Sequence, residues 1–381
     1  MYRRFHQHLE KYLKPGRVLV MYGPRRAGKT TLLEDFLRHS GMRYRLDSGD
    51  DIAVRAVLGS EDFRQIKEYA RGVDLIAIDE AQQIPNIGMG LKIIVDQVPG
   101  IRVIATGSSS FDLAQAIGEP LTGRKRTIML YPMAQLELDQ TYSRFEVRQQ
   151  LEDVLIYGAY PEIVAASSQR EKRELVKEIA HSYLLRDILT LDGVKHSDTL
   201  YKLVQLLALQ IGQLVSTNEL ATQLGLSRNT VDRYLDLLQK GFVIQKLEGY
   251  SRNRRKEINK KAKYYFLDNG VRNGVIENFN PMRARNDQGA LWENFLFSER
   301  VKWASYKGWW GLRYFWRTYS GQEIDFVEEQ GEELIGYEAK WSTSKRVKVP
   351  SEWQASYPNA AFKVITPDNY FDFVADEEVS A

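Results

Sequence analysis

Short apolar runs and amphipathic stretches take turns along the first third of the chain. RVLVMY (17–22), MRYRL (42–46), DLIAID (74–79), IRVIAT (101–106) and RTIMLY (126–131) predict strands, and TTLLEDFLRHS (30–40) and GMGLKIIVDQV (88–98) predict helices between them. Strands alternating with helices predict a parallel sheet covered on both faces. From about 138 to 190 the pattern turns helical, as in REKRELVKEIAHSYLLRDIL (170–189). From about 198 to 275 a helix–turn–helix pattern precedes two strands around a basic loop. NDQGALWENFLFSERVKWA (286–304) predicts a further helix, and LRYFWR (312–317), EIDFVEE (323–329), ELIGYEAKW (333–341) and AFKVIT (361–366) predict strands. FNPMRARND (279–287), with its proline and alternating charge, is the candidate linker.

The first predicted strand runs into VLVMYGPRRAGKTTLL, which contains G-x-x-x-x-G-K-T at Gly23, Gly28, Lys29 and Thr30. A polyphosphate needs backbone N–H groups at close range, which side chains would block, hence the glycines. Lys29 supplies a cation for the β- and γ-phosphates, Thr30 a hydroxyl for Mg²⁺, and the next helix points its N-terminus at the phosphates. The expected ATP-binding stretch is therefore Gly23, Pro24, Arg25, Arg26, Ala27, Gly28, Lys29, Thr30 and Thr31. The second half of the site is VDLIAIDEAQ, an apolar strand ending in Asp79, expected on Mg²⁺, and Glu80, expected to polarise the attacking water. MRYRL lies between the two motifs, an insertion that points to the P-loop ATPases with an extra strand and a catalytic glutamate. The strand end VIATGSSS offers Thr106 or Ser108 to the γ-phosphate or the water. LTGRKRTIML places Arg124 and Arg126 near what reads as the same sheet end. There an arginine stabilises transition-state charge, in cis or across a subunit boundary, or simply begins a solvated strand.

GPRRAGKTTLL, AIDEAQ, IATGSSS and PLTGRKRTIMLYPM, in this order, resemble the prokaryotic AAA-type ATPases related to the archaeal ATPase family, near the signal-transduction NTPases. YGAYPEIV, SYLLRDIL, KYYFLDNGVR and the pair EIDFV and YEAKW resemble that family's later blocks, so the resemblance covers nearly the whole chain. It implies architecture more firmly than task. Arg124 matches an arginine that the family carries after Gly123, which implies an arginine-finger or sensor role.

STNELATQLGLSRNTVDRYLDLLQKGFVIQKLEGY reads as two helices and a turn. Ser216 with Glu219 forms a capping box, Gly225 makes the turn, and Ser227 caps a helix over 228–240 that Gly241 ends. Val231, Leu235 and Leu238 recur at helical spacing and face a core. Arg228, Asn229 and Arg233 lie on the outer face of this would-be recognition helix, and the following loop carries Arg252, Arg254, Arg255, Lys256, Lys260 and Lys261. A winged helix of this kind reads a major groove while its wing touches phosphate. In ATPases such a module also serves as a lid or a protein contact.

The last stretch holds Glu293 on a helix, Asp325 on EIDFV, and Glu338 with Lys340 as E-x-K on one strand. Alternate strand residues share a face, so Glu338 and Lys340 point the same way. Asp325 and Glu338, joined by Glu293, suit Mg²⁺, and Lys340 suits a water or the scissile phosphate. The order resembles the PD-(D/E)xK nucleases, with Ile324 where proline is usual. The other reading is a degenerate nuclease fold kept for binding or assembly.

Composition narrows these readings. The chain has 381 residues, 43% hydrophobic and 27% charged, which suits two or three globular domains. Net charge is only +3, so nucleic-acid contact must rest on a local patch. The absence of cysteine excludes disulfides and thiolate metal sites and fits the cytoplasm. No signal peptide or membrane-length apolar run is present, so no membrane partner is expected. The expected fold is α/β: a P-loop NTPase parallel sheet (1–137), a helical lid (138–195), a winged helix-turn-helix (196–278) and a C-terminal α/β restriction-endonuclease-like domain (285–381). ATP and Mg²⁺ are the expected cofactors, and nucleotide, DNA and further copies of the chain the expected partners. Two functions stay open: an ATPase acting on DNA, with cleavage by the C-terminal domain, or a nucleotide-dependent switch whose later domains only bind.

Overall fold

The computed structural model describes residues 4–108, 120–183, 197–251, 262–342 and 347–375. The chain divides into two units: residues 1–133 with 240–242, and residues 134–239 with 243–381.

In the first unit β1 (Val18–Tyr22), β2 (Tyr44–Ser48), β3 (Leu75–Asp79), β4 (Arg102–Gly107) and β5 (Lys125–Met129) form one sheet in the order β2-β3-β4-β1-β5. All its pairings are parallel. Strand alternation divides the core between two faces. Val18, Val20, Ile76, Ile78, Val103 and Ala105 meet α4 (Ile87–Gln97) through Leu91 and Ile94. Leu19, Met21, Leu75, Ala77 and Ile104 meet α1 (Lys29–His39) through Leu32, Leu33 and Phe36. Two short helices missing from the sequence reading, α2 (Ile52–Leu58) and α3 (Phe63–Tyr69), follow β2. Each is capped by an aspartate: Asp51 accepts from Ala53 N at 2.7 Å, and Asp62 from Arg64 N at 2.8 Å. One expectation is corrected. The strand inserted in space between the glycine-loop strand and the acidic strand is β4, whereas MRYRL leads into the edge strand β2.

The second unit begins with helices, including α5 (Leu151–Tyr157) and α6 (Gln169–Glu178), and a π-helical turn at Ile179–Tyr183. There follow α7 (Ser197–Leu209), β6 (Leu214–Val215), α8 (Thr217–Leu224), α9 (Arg228–Lys240), β7 (Ile244–Gly249), β8 (Ala262–Phe266) and α10 (Asn269–Val275). The remainder is α11 (Gln288–Lys307), β9 (Leu312–Arg317), β10 (Glu323–Gln330), β11 (Glu333–Ala339), β12 (Ala361–Ile365) and α12 (Tyr370–Val374). The strands make one seven-stranded sheet, β12-β11-β10-β9-β7-β8-β6. The expected separation of 196–278 from 285–381 is absent from it, because β7 pairs parallel with β9 at Glu248↔Tyr314 and Gly249↔Phe315. The expected linker is packed rather than open. The Arg285 side chain is fully buried and bonds Asp287 at 2.8 Å, and Arg272 bonds the same carboxylate at 2.6 Å.

α10 is held to α5 by polar groups. The buried Asp268 caps α10 through Val271 N at 3.1 Å and accepts Ala159 N at 2.8 Å. Asn273 donates to the carbonyls of Leu155 and Ile156 at 3.0 and 2.8 Å. Gly158 has φ +82°, and a Cβ there would strike the Asp268 carboxylate.

Candidate functional site

The parallel register brings the C-terminal ends of β1, β3 and β4 together, since Tyr22 stands opposite Gly107, Met21 opposite Thr106, and Ile78 opposite Ala105. The loop from Gly23 to Gly28 leaves β1 and ends in a left-handed Gly28 (φ 91°) that starts α1. Arg26 also takes a positive φ of 60°, so the loop turns tightly and Ala27 is buried. The buried Lys29 folds back, its Nζ donating to the carbonyls of Gly23 and Pro24 at 2.8 and 2.9 Å. Its ammonium thus sits within the loop, at the start of a helix whose first N–H groups lack helical partners.

Beside it runs a line of oxygens. Thr30 Oγ1 donates to Asp79 Oδ2 at 2.8 Å. Thr106 donates to the other Asp79 oxygen, and Glu80 N donates to Thr106 Oγ1 at 3.3 Å. Thr106 is wholly buried. Both hydroxyls proposed from the strand end VIATGSSS are engaged, one on each acid, for Ser108 Oγ donates to Glu80 Oε2 at 3.3 Å. Glu80 leaves β3 with a positive φ of 49°, which turns its side chain out of the strand alternation. Gln82 was missed in the sequence. Its amide donates to both Glu80 Oε2 and Ser108 Oγ, while its own buried Oε1 has no hydrogen-bond partner among the described residues. The signal was the amide two residues after the acid in IDEAQ. Loop N–H groups, an ammonium and a hydroxyl–carboxylate pair suit a polyphosphate with a hard cation.

Arg124 and Arg126 are not at this end. β5 pairs with β1 so that Lys125 stands opposite Val18, at the start of both strands, and Arg124 O accepts Val18 N at 2.9 Å. Five residues of extended chain span roughly 16 Å, so Arg124 lies across the sheet from the glycine loop. There it pairs with Asp96, near the end of α4, and Arg126 sits 4.5 Å over the ring of Tyr12. Sequence order could not show this, because register decides which strand end faces the loop.

In the second unit the two helices are capped, α8 by the backbone half of the expected box alone. Glu219 N donates to Ser216 Oγ at 3.4 Å, Gly225 ends α8 in the left-handed region, and Thr230 N donates to Ser227 Oγ at 3.1 Å. Val231, Leu235 and Leu238 are buried. Arg228, Asn229 and Arg233 are exposed, but so are Asp232 and Asp236, and Arg228 pairs with Asp232 at 3.5 Å. Two arginines against two aspartates leave this face without net charge. Arg252, Arg254, Arg255, Lys256, Lys260 and Lys261 lie outside the described residues.

Glu293, Asp325, Glu338 and Lys340 are brought into one region, together with a lysine. Lys263 of β8, which the sequence reading passed over, occupies its centre. This lysine is 1% exposed, and its Nζ lies 2.6 Å from Glu323, 3.1 Å from Glu293 and 4.0 Å from Asp325. Tyr265, on the same face of β8, donates to Glu293 Oε1 at 2.6 Å. Asp325 accepts Ala339 N at 2.8 Å, and Lys340 Nζ lies 2.6 Å from Glu338 Oε1. Burial, then the neighbouring Asp325, pushes the Glu293 carboxyl up to about 7 despite Lys263 and Tyr265. Burial also raises Asp325 and, together with Asp325, Glu338. Burial alone would discharge Lys263, but Glu293, Asp325 and Glu323 outweigh it and hold the ammonium above the usual lysine range. Among the described residues no three His, Asp or Glu side chains are placed to hold a metal ion. Of the expected Mg²⁺ pair, Asp325 is engaged by Ala339 N and lies 4.0 Å from Lys263, and Glu338 is engaged by Lys340. The sequence signal for Lys263 was a charge inside AKYYF, a strand buried at every position.

The parallel sheet, glycine loop and acid pair together make an α/β unit suited to a nucleoside triphosphate. Residues 15–138 match the family model of an AAA domain, and residues 148–281 and 288–376 each match a domain of unknown function. An uncharacterized protein of Mycobacterium tuberculosis is 25% identical over 342 residues, 89% of this chain and 74% of its own. One of Haemophilus influenzae is 26% identical over 356 residues, covering 84% and 81%. One of Methanocaldococcus jannaschii is 23% identical over 317 residues, covering 76% and 68%. A solved structure aligns at a TM-score of 0.29 and 13% identity. It is a Signal Transduction ATPase with Numerous Domains protein with a tetratricopeptide repeat sensor from Pyrococcus horikoshii. The alignment covers 75% of this chain and 43% of that one. No helix among the described residues is long and apolar enough to cross a membrane.

Proposed function

We propose that the first unit binds ATP with Mg²⁺ and hydrolyses it. The observation that carries this is the continuous line from Thr30 through Asp79 and Thr106 to Glu80, next to the buried ammonium of Lys29. In this reading the loop N–H groups from Gly23 to Thr31 and Lys29 hold the phosphates, and Thr30 and Asp79 hold Mg²⁺, which neutralises phosphate charge. Glu80 orients the attacking water and takes its proton. Because Arg124 sits across the sheet, the cation for the transition state comes from Arg25 or Arg26 of the loop or from a second copy of the chain. Glu80→Gln should keep nucleotide binding and lower turnover by about 10²–10⁴-fold, the usual worth of a general base. Lys29→Ala should weaken binding itself. Equal loss of binding in both variants, by titration of a fluorescent ATP analogue, overturns this division of roles.

Contact with DNA is the second reading. It is supported by the succession of α8, the capped α9 and the antiparallel pair β7–β8, the order of elements expected of a winged helix. Since the outer face of α9 carries balanced charge, the basic segment between β7 and β8 supplies the attraction. Reversing Arg254 and Arg255 should weaken binding to all sequences and flatten the dependence of log K on log salt by about one unit per lost phosphate contact. Unchanged binding in the double variant leaves the module a protein contact. For the C-terminal carboxylates the geometry favours a binding platform over a metal-dependent nuclease, and the chain is then a nucleotide-driven switch.

A further inference from the structure

We propose that the ammonium of Lys263 is the resident cation of the C-terminal carboxylate cluster, so that the cluster fastens β8 to α11 and β10 and takes up no divalent metal. This is independent of the nucleotide chemistry of the first unit.

The geometry gives the lysine three carboxylate neighbours from two elements: Glu293 on α11, and Glu323 and Asp325 on β10. A buried, unpaired ammonium costs several kcal/mol, so a lysine at 1% exposure persists only where fixed negative charge surrounds it. The ring of Phe315 lies 5.6 Å from the same Nζ, and Tyr265 takes up a further oxygen position of Glu293. Among the described residues the charges nearly balance without a metal. Glu293, Glu323, Asp325 and Glu338 contribute four negative charges against Lys263, Lys340 and Arg317, which bonds Glu323 at 3.2 Å. The remaining single negative charge vanishes when Glu293 holds a proton, which its raised pKa of about 7 allows near neutrality. A divalent ion would have to displace the ammonium or share the pocket with it at close range, and like charges there repel.

Mn²⁺ titration of the nucleotide-free full chain, by calorimetry, tests this. Wild type and Asp325→Asn should bind Mn²⁺ alike, since weak binding at Thr30 is common to both and cancels. Lys263→Met should lower the melting temperature of the second unit by several degrees, because buried carboxylates lose their counter-charge. Adding Glu323→Gln to Lys263→Met should recover part of that loss, whereas a merely space-filling lysine would give no recovery. A Mn²⁺ site present in wild type and lost in Asp325→Asn overturns the proposal, as does a double variant no more stable than Lys263→Met. If Lys263→Met does not fold, the comparison of wild type with Asp325→Asn still decides.

Discussion

Thr106 is the hinge of the proposed nucleotide site, because one hydroxyl serves both acids: it donates to Asp79 and accepts from the backbone of Glu80. Thr106→Val keeps the volume and removes the hydroxyl, leaving Glu80 N and one Asp79 oxygen without this partner. Turnover should fall at least about tenfold with KM little moved, since aligned polar groups act mainly in the transition state, and Thr106→Ser should restore it. Steady-state kinetics of the two variants check this, and a valine variant with normal kcat removes Thr106 from the machinery. The glycine loop and the acid pair were legible because each is a contiguous motif. Thr106 was legible as one of two candidates because small hydroxyl residues end its strand. Gln82 and Lys263 were not, for their roles depend on partners that only the fold brings near.

At the scale of elements, α10 and its neighbours show what the blocks YGAYPEIV and LDNGVR do. They are a polar lock in which Asp268, Asn269 and Asn273 satisfy the chain ends of α5, with Asn269 also donating to Leu291 O at 3.0 Å. Gly158→Ala adds a Cβ in a strained conformation against the Asp268 carboxylate. It should cost about 2 kcal/mol or more, lowering the calorimetric transition of the second unit while leaving that of the first in place. Loss of both transitions together would refute the separate unit. Strand and helix positions were readable from periodicity across most of the chain, including the capped pair α8 and α9. Strand partners were not, since alternation says which face is buried and nothing about the neighbour at the edge. That is why Arg124 was expected at the wrong end of its strand and β4 was not recognised as the inserted strand.

For the whole molecule, two buried groups give the units opposite responses to acid. In the first unit His6 is held down to about 4, by burial first and then by Arg4 and Arg126. Between about 6.5 and 4 the unfolded chain binds the proton and the folded one does not, so this contribution is lost as pH falls. In the second unit Glu293 is raised to about 7, so between about 7 and 4.5 the folded state holds the extra proton and stability grows as pH falls. Calorimetry from pH 7.5 to 5 should show the first unit's transition moving down and the second unit's moving up. His6→Phe should flatten the first trend and Glu293→Gln the second. Parallel movement of both transitions contradicts the assignment.

The pairing of β7 with β9 has a consequence for how such a chain can be inherited. A gene fragment ending before residue 285 would leave one edge of β7 bare and strand the Lys263 ammonium without its acids, while one beginning there would leave those acids crowded together. Substitutions along this seam must therefore be matched on both sides of residue 285, even though separate family models match 148–281 and 288–376.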